Sequence, residues 1–210
     1  LTSNPGMIDY LLDSLLLDRL PSRLELEQNL NELARGAESL DPILQAFKAD
    51  QHLRIGVRDI LGKEDLADIH LALSDVAEVC LRCIASAQYQ PLVERFGFPD
   101  QAEPPEEAEQ CDFVVLAMGK FGGREPNYHS DLDVVFVYDQ EGSTVPNHRR
   151  AQSTSHQHFF SQWGQRMMKV ITRMGPRGRL YEMDPRLRPT GKSGALAISR
   201  SEFLKYFTTG

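Results

Sequence analysis

The sequence predicts an α+β protein in which a helical region precedes a unit of strands and helices. Three observations carry that reading. Apolar residues at three- and four-residue spacing dominate the stretch before residue 98. An acidic, proline-rich segment, PDQAEPPEEAE, follows at 99–109. Beyond it the pattern changes to short apolar runs of strand type, interrupted by one amphipathic helix. The expected organisation is a helical region at 1–98, a linker at 99–110 and an α/β unit at 111–210.

The elements follow in order. Leu11, Leu12, Leu15, Leu16 and Leu20 make a short helical repeat that Pro21 breaks. Helix formers run from Leu24 to Ala37, with Gly36 near the end, and a third helix spans Asp41 to Leu61 and stops at Gly62. A fourth begins near Asp68, because Ile69, Leu73, Val76, Cys80, Cys83, Ile84 and Ala87 form one buried stripe. Phe113–Met118 (FVVLAM) is a continuous apolar run, as a buried strand would be, and Asp131–Tyr138 (DLDVVFVY) alternates as a second strand. The stripe Phe159, Phe160, Trp163, Met167, Val170, Ile171 and Met174 marks a helix over about 155–174, and the turn Gly175-Pro176-Arg177-Gly178 ends it. Leu180–Asp184 and Ala195–Ile198 read as two further strands, giving the order β-β-α-β-β.

Composition narrows the function. The chain has 210 residues, 41% apolar and 25% charged, with a formal net charge of −7. That balance argues against non-specific nucleic-acid binding, which calls for a basic face. No run of about 18 apolar residues occurs, so no membrane span is expected. Cys80 and Cys83 form a C-x-x-C with no second Cys/His pair to complete a zinc site, and they read as small core residues. Three cysteines and no signal-type segment predict a reducing, cytoplasmic setting. The sequence starts at Leu1 and is expected to be a piece of something longer.

The chemistry concentrates in two places. Asp131 and Asp133 stand two apart in a strand, so alternation sends both carboxylates to one face, with Cα atoms about 6.5–7 Å apart. A divalent cation relieves their repulsion, and oxygen ligands suit Mg²⁺. Such a pair alone also starts ordinary edge strands. Upstream, Gly119-Lys120-Phe121-Gly122-Gly123 follows the first strand directly, and glycines there let backbone N–H groups approach an anion. It is not a Walker loop, since G-K-[ST] is missing. A third carboxylate would hold a second metal, and Glu182 or Asp184 can supply it from the end of the later strand. Arg186, Arg188 and Lys192, with Gly191, Ser193 and Gly194, form a local basic loop suited to a triphosphate.

These residues resemble a known family. LAMGKFGGREPNYHSDLD at 116–133 and DPRLRPTGKSG at 184–194 look like the two signatures of glutamine synthetase adenylyltransferase, and the likeness extends over nearly the whole chain, including Asn4–Asp9 and Phe47–Gly62. The resemblance implies a polymerase-β-type nucleotidyltransferase core with a mixed sheet, two Mg²⁺ ions and ATP as substrate. It implies Asp131, Asp133 and Asp184 as catalytic metal ligands. Gly119, Lys120, Gly122, Gly123, Ser130, Arg186, Arg188, Lys192 and Ser193 would bind the nucleotide. It further implies two halves, one attaching AMP to a tyrosine of glutamine synthetase and one removing it by phosphorolysis, with a nitrogen-signalling regulatory protein as a further partner. Asn4–Asp9 and Tyr181-Glu182 look more like the attaching half. Pro126, His129 and Pro185 depart from the family pattern in loop positions, and the family's following helical segment is absent. The alternatives are the removing half and a regulatory module without activity.

Other features read as structural. His156 and His158, two apart on a helix, do not face each other and are expected in solvent. Asp50 and Arg54 make a local i, i+4 pair, or Arg54 reaches toward the nucleotide. The aromatic stripe Phe159, Phe160, Trp163 is expected in the core.

Overall fold

The computed structural model describes residues 19–99, 111–175, 178–189, 191 and 193–209. The expected helix before Pro21 falls mostly outside them, as do the linker after Pro99, residues 176–177 of the turn, and Lys192. The fold is α+β, with helices α1 (Arg23–Ala34), α2 (Asp41–Ile60), α3 (Leu66–Phe96), α4 (Gly119–Gly122), α5 (His156–Thr172) and α6 (Arg200–Thr209). Strands β1 (Phe113–Ala117), β2 (Leu132–Tyr138), β3 (Met183–Asp184) and β4 (Ala197–Ser199) make one mixed sheet. No helix among the described residues is long and apolar enough to cross a membrane.

Contacts group the described residues into two units. The first holds the residues up to Leu81 together with Arg124–His129, and the second holds the rest. In the first, Ser22 opens α1 with a reciprocal capping box to Glu25, whose carboxyl falls to about 2 because Arg19 and then Ser22 hydrogen-bond its charged form. Asp41-Pro42 opens α2, where proline costs no hydrogen bond. Leu26, Leu30, Leu44, Phe47, Ile55, Ile69, Leu73 and Val76 are buried, so the three-four stripes do face a core. Cys80 is buried and Cys83 half-buried, and neither is in a disulfide, as the stripe reading expects. Arg124 adopts a left-handed backbone, φ 56°, a conformation that costs a non-glycine residue about 1–2 kcal/mol.

In the second unit β2 is the central strand. It pairs antiparallel with β1, Ala117 opposite Val134 and Phe113 opposite Tyr138. On its other edge β3 pairs in parallel with its start and β4 with its end, so β2 is bonded on both sides. That is why six of its seven residues are buried. Leu132, Val134, Phe136 and Tyr138 share one face by alternation, and α5 covers it. Phe113 stacks on Trp163 and Phe160, with centroids 4.6 and 5.2 Å apart, and Tyr138 stacks on Phe160 at 5.3 Å. The Trp163 indole N–H donates to the Ala85 carbonyl at 2.9 Å, which satisfies its one polar atom. On the opposite face Val135 and Val137 pack with Ile198, Leu116, Met118 and Phe203.

Several expectations need correction. Met174 lies beyond the end of α5 and is exposed, and the strands expected at 180–184 and 195–198 are Met183–Asp184 and Ala197–Ser199. β2 begins at Leu132, so Asp131 precedes the strand. His156 is buried, not solvated: at the first turn of α5 its Nδ1 meets the Gln140 carbonyl at 2.8 Å, while His158 remains exposed. Helix α6 has no counterpart in the sequence reading. Its signal was there in Ser199-x-x-Glu202: the Ser199 hydroxyl accepts from the Glu202 N–H at 3.3 Å, and Glu202 reaches back to the Ser199 N–H.

Phe160 is fully buried between the sheet and the aromatic cluster. Phe160→Ala is expected to lower unfolding free energy by about 3–5 kcal/mol, measured by urea titration.

Candidate metal and nucleotide site

The site is built on the register between β2 and β3. Asp133 lies opposite Asp184 in a parallel pair, so both side chains leave the same face of the sheet. The Leu132 N–H donating to the Glu182 carbonyl at 2.9 Å locks that register. Glu182, two positions back, lies before β3 begins: it is exposed and pairs with Arg179 at 2.9 Å. The structure therefore brings Asp184, and not Glu182, to Asp133. Asp131 joins them from the end of the preceding loop, and carboxylate oxygens of Asp131, Asp133 and Asp184 lie within 4.8 Å of one another.

Gly119 explains how the cluster fits against the turn. Its φ is 52°, and a Cβ there would stand 2.4 Å from Asp133 Oδ2. Only glycine admits the carboxylate so close. At Gly122 a Cβ would meet the Ala117 carbonyl oxygen at 2.5 Å, so the turn cannot carry side chains at either position without moving. Met118 N–H donates to the Asp133 carbonyl at 2.8 Å, and Gly122 N–H and Gly123 N–H close the short α4 on Met118 and Gly119. The sequence gives these glycines an anion-cradling role; the structure adds that two of them are required by neighbouring atoms of the protein itself. Lys120 and Gly123 are exposed and Ser130 is half-buried beside Asp131.

The charges are only partly balanced. The Asp133 carboxyl is pushed above its ordinary range, first by burial, then by the negative charges of Asp131 and Asp184, with Arg186 opposing. Arg186 neutralises Asp184: its Nε donates to both carboxylate oxygens, at 2.7 and 2.6 Å, its Nη2 also pairs with Oδ2, and its backbone N–H donates to Oδ1 at 2.9 Å. Three hard oxygen donors around a point that one arginine does not fully compensate fit a divalent cation such as Mg²⁺. The other arginine of the loop is placed differently. Arg188 is 9% exposed, donates to the Pro185 carbonyl at 2.7 Å and to the Gly194 carbonyl at 3.4 Å, and so braces the loop from within. Ser193 is exposed, and Lys192 lies outside the described residues. Arg54 lines a cleft of the first unit with Arg19, Glu25, Asn29 and Gln51.

Comparison with known proteins agrees with the resemblance. The family model for glutamate-ammonia ligase adenylyltransferase matches residues 1–210. Among similar proteins is the bifunctional glutamine synthetase adenylyltransferase/adenylyl-removing enzyme of Xanthobacter autotrophicus, 32% identical over 98% of this chain and 20% of its own length. The proteins of the same description from Acinetobacter baylyi and Thioalkalivibrio sulfidiphilus are 33% and 34% identical, over 98% and 100% of this chain. The chain spans about a fifth of the length of these relatives.

The raised Asp133 pKa has a definite sign. Between the unfolded value, 3.8, and the higher folded one, the folded state binds more protons, so stability falls as pH rises through that window. At neutral pH without metal the ionised cluster is destabilising. Asp133→Asn is therefore expected to melt no lower than the parent in a metal-free buffer, and to lose the upward shift that Mg²⁺ gives the parent. That shift corresponds to about 2.7 kcal/mol at a hundred times Kd. Calorimetry with and without Mg²⁺ reads both.

Proposed function

Because the chain belongs to the glutamate-ammonia ligase adenylyltransferase family, we propose that it carries a nucleotidyltransferase core of polymerase-β type that moves AMP from ATP to a tyrosine of glutamine synthetase. The observation that carries this reading is the convergence of Asp131, Asp133 and Asp184 beside the Gly119–Gly123 turn, with Arg186 at their edge. In this reading the tyrosyl oxygen attacks the α-phosphorus, the bond to the α–β bridging oxygen breaks, and pyrophosphate leaves.

The three carboxylates would hold two Mg²⁺ ions, which supply charge stabilisation to the incoming and departing oxygens. The chain's own residues do the positioning. Asp133 and Asp184 are held by strand register and Asp131 by the loop end. The glycine turn offers backbone N–H groups to the phosphates, with Lys120 and Ser130 as side-chain donors. Arg186 is exposed at the edge of the carboxylates, so it suits the β- and γ-phosphates, with Lys192 and Ser193 alongside. The inward bonding of Arg188 to two carbonyls supports Arg186 as the leading contact and Arg188 as the residue that shapes the loop. Such chemistry rests on orientation and electrostatics, and it needs no Ser/His nucleophile. The cytoplasmic setting, and a nitrogen-signalling protein as partner, belong to the same proposal.

The test uses ATP labelled at the α-phosphate, Mg²⁺ and unmodified glutamine synthetase. Label on the synthetase tyrosine supports the attaching role. Release of ADP from modified synthetase with inorganic phosphate would assign the removing role instead, and neither reaction, with no Mg²⁺-dependent nucleotide binding, would leave a regulatory module. Arg186→Ala is expected to weaken ATP binding about tenfold to a hundredfold and AMP binding far less, since charge-assisted contacts to the outer phosphates are lost. Equal weakening of both nucleotides, read by calorimetry, would place the triphosphate elsewhere.

A further inference from the structure

Within the second unit, a cleft of about 560 Å³ opens between α5 and the loop that follows β3. One wall is a row of polar side chains on α5. Gln157, Ser161 and Gln165 stand at four-residue spacing, so the row runs roughly 12 Å along the helix. Pro185, Arg188 and Gly194 make the facing wall. The cleft is on the α5 side of the sheet: a Cβ on Gly164 would stand 3.1 Å from Leu196, which also lines it, and 3.3 Å from Phe136. Asp133, three residues from Phe136 along β2, leaves the opposite face.

This wall carries a charge without a counter-charge. Arg188 is 9% exposed. A guanidinium offers five N–H donors. Nη1 of Arg188 donates to the Pro185 carbonyl at 2.7 Å and Nη2 to the Gly194 carbonyl at 3.4 Å, both of them neutral acceptors. Its buried Nε has no partner among the described residues. Burial works against the Arg188 charge and Asp184 favours it. That carboxylate, however, is already held through both oxygens by Arg186. Buried charges are ordinarily paired. Arg58, 8% exposed in the first unit, follows the rule with Glu64 at 2.6 Å. A guanidinium does not escape by losing its proton, so Arg188 calls for an anion.

The rest of the wall says which anion. Ser161 Oγ accepts from the Ala197 N–H at 3.2 Å, which leaves its hydroxyl proton to donate. Gln165 accepts from Gln162 through Oε1 at 3.1 Å, which leaves its amide N–H groups, and Gln157 adds a second amide. Neutral polar groups in a row beside one arginine match a single negative charge followed by a polar chain. A phosphate dianion would exceed that charge close to the clustered acids Asp131, Asp133 and Asp184, where the loop begins.

We propose that this cleft binds a small monocarboxylate with an amide or hydroxyl tail. The carboxylate accepts from the Arg188 donors that the two carbonyls leave unused, and the tail lies along Gln157, Ser161 and Gln165. The site is separate from the nucleotide site proposed above, and it does not depend on the metal-site reading.

The probe is N-acetylglycine, with N-acetylglycinamide as its uncharged counterpart, observed by saturation-transfer NMR on the whole chain without Mg²⁺ or nucleotide. The acid is expected to bind about tenfold more tightly than the amide or better, because only the acid makes the charge-assisted contact. Gln165→Trp fills the cleft from an exposed position without touching Arg188, and is expected to abolish binding with melting unchanged. Arg188→Lys keeps the charge but loses the planar fork, and is expected to weaken binding about tenfold. No binding of the acid by the parent, equal affinity for acid and amide, or binding that survives Gln165→Trp would each overturn the inference. Tighter binding of inorganic phosphate than of N-acetylglycine would overturn the carboxylate assignment. MgATP is expected to leave the probe in place. Its displacement by MgATP would make the cleft part of the nucleotide site and overturn the inference, whereas a chain that binds the probe but no MgATP would overturn only the nucleotide reading.

Discussion

Three carboxylates gathered within 4.8 Å are the constraint on which the second unit depends. Their mutual repulsion favours separation, so the fold has to hold them together by means that do not involve the acids themselves. The backbone does this. The β2–β3 register brings Asp133 and Asp184 side by side through main-chain hydrogen bonds. Gly119 removes the one side-chain atom that would block Asp133. The aromatic cluster under the opposite face of β2 anchors the strand against a well-packed layer. Arg186 offsets part of the charge at small structural cost, because it is exposed and reaches Asp184 from two residues away.

The same division appears along β2. Its first face-up residue, Asp133, belongs to chemistry, and the next two, Val135 and Val137, belong to a small apolar cluster with Ile198 and Phe203. A single strand thus passes from site to core in four residues, with alternation keeping both roles on one face. Helix α6 matters here because Phe203 helps cover that cluster.

Much of this was legible in the sequence. The stripes of α2, α3 and α5 gave period and location, since buried helical faces repeat over many residues, and the strands declared themselves by apolar runs, whereas the extension of α3 through Pro91 to Phe96 was not read. The signature motifs carried the family. What could not be read were choices that depend on partners distant in sequence. Glu182 and Asp184 are equivalent by alternation alone, and only the pairing of β3 with β2 separates them. Arg186 and Arg188 look alike along the chain, yet one meets a carboxylate and the other turns to the carbonyls of Pro185 and Gly194. His156 was expected in solvent because helical spacing says nothing of the loop that covers it. The glycines suggested an anion, whereas the space at Gly119 is set by Asp133, more than ten residues away.

The brevity of β3 has a consequence for how this chain can vary. Two paired residues, preceded by the bonds from Tyr181 N–H to Ile171 and from Leu132 N–H to Glu182, leave no slack between Tyr181 and the third acid. Inserting or deleting one residue between Tyr181 and Asp184 would rotate the acid to the far side of the sheet and present its neighbour instead. A change of two would restore the facing but move the acid along β2 by nearly 7 Å. Length polymorphism is therefore forbidden here even where side-chain identity is free, and drift among relatives should enter this segment as substitutions and never as gaps.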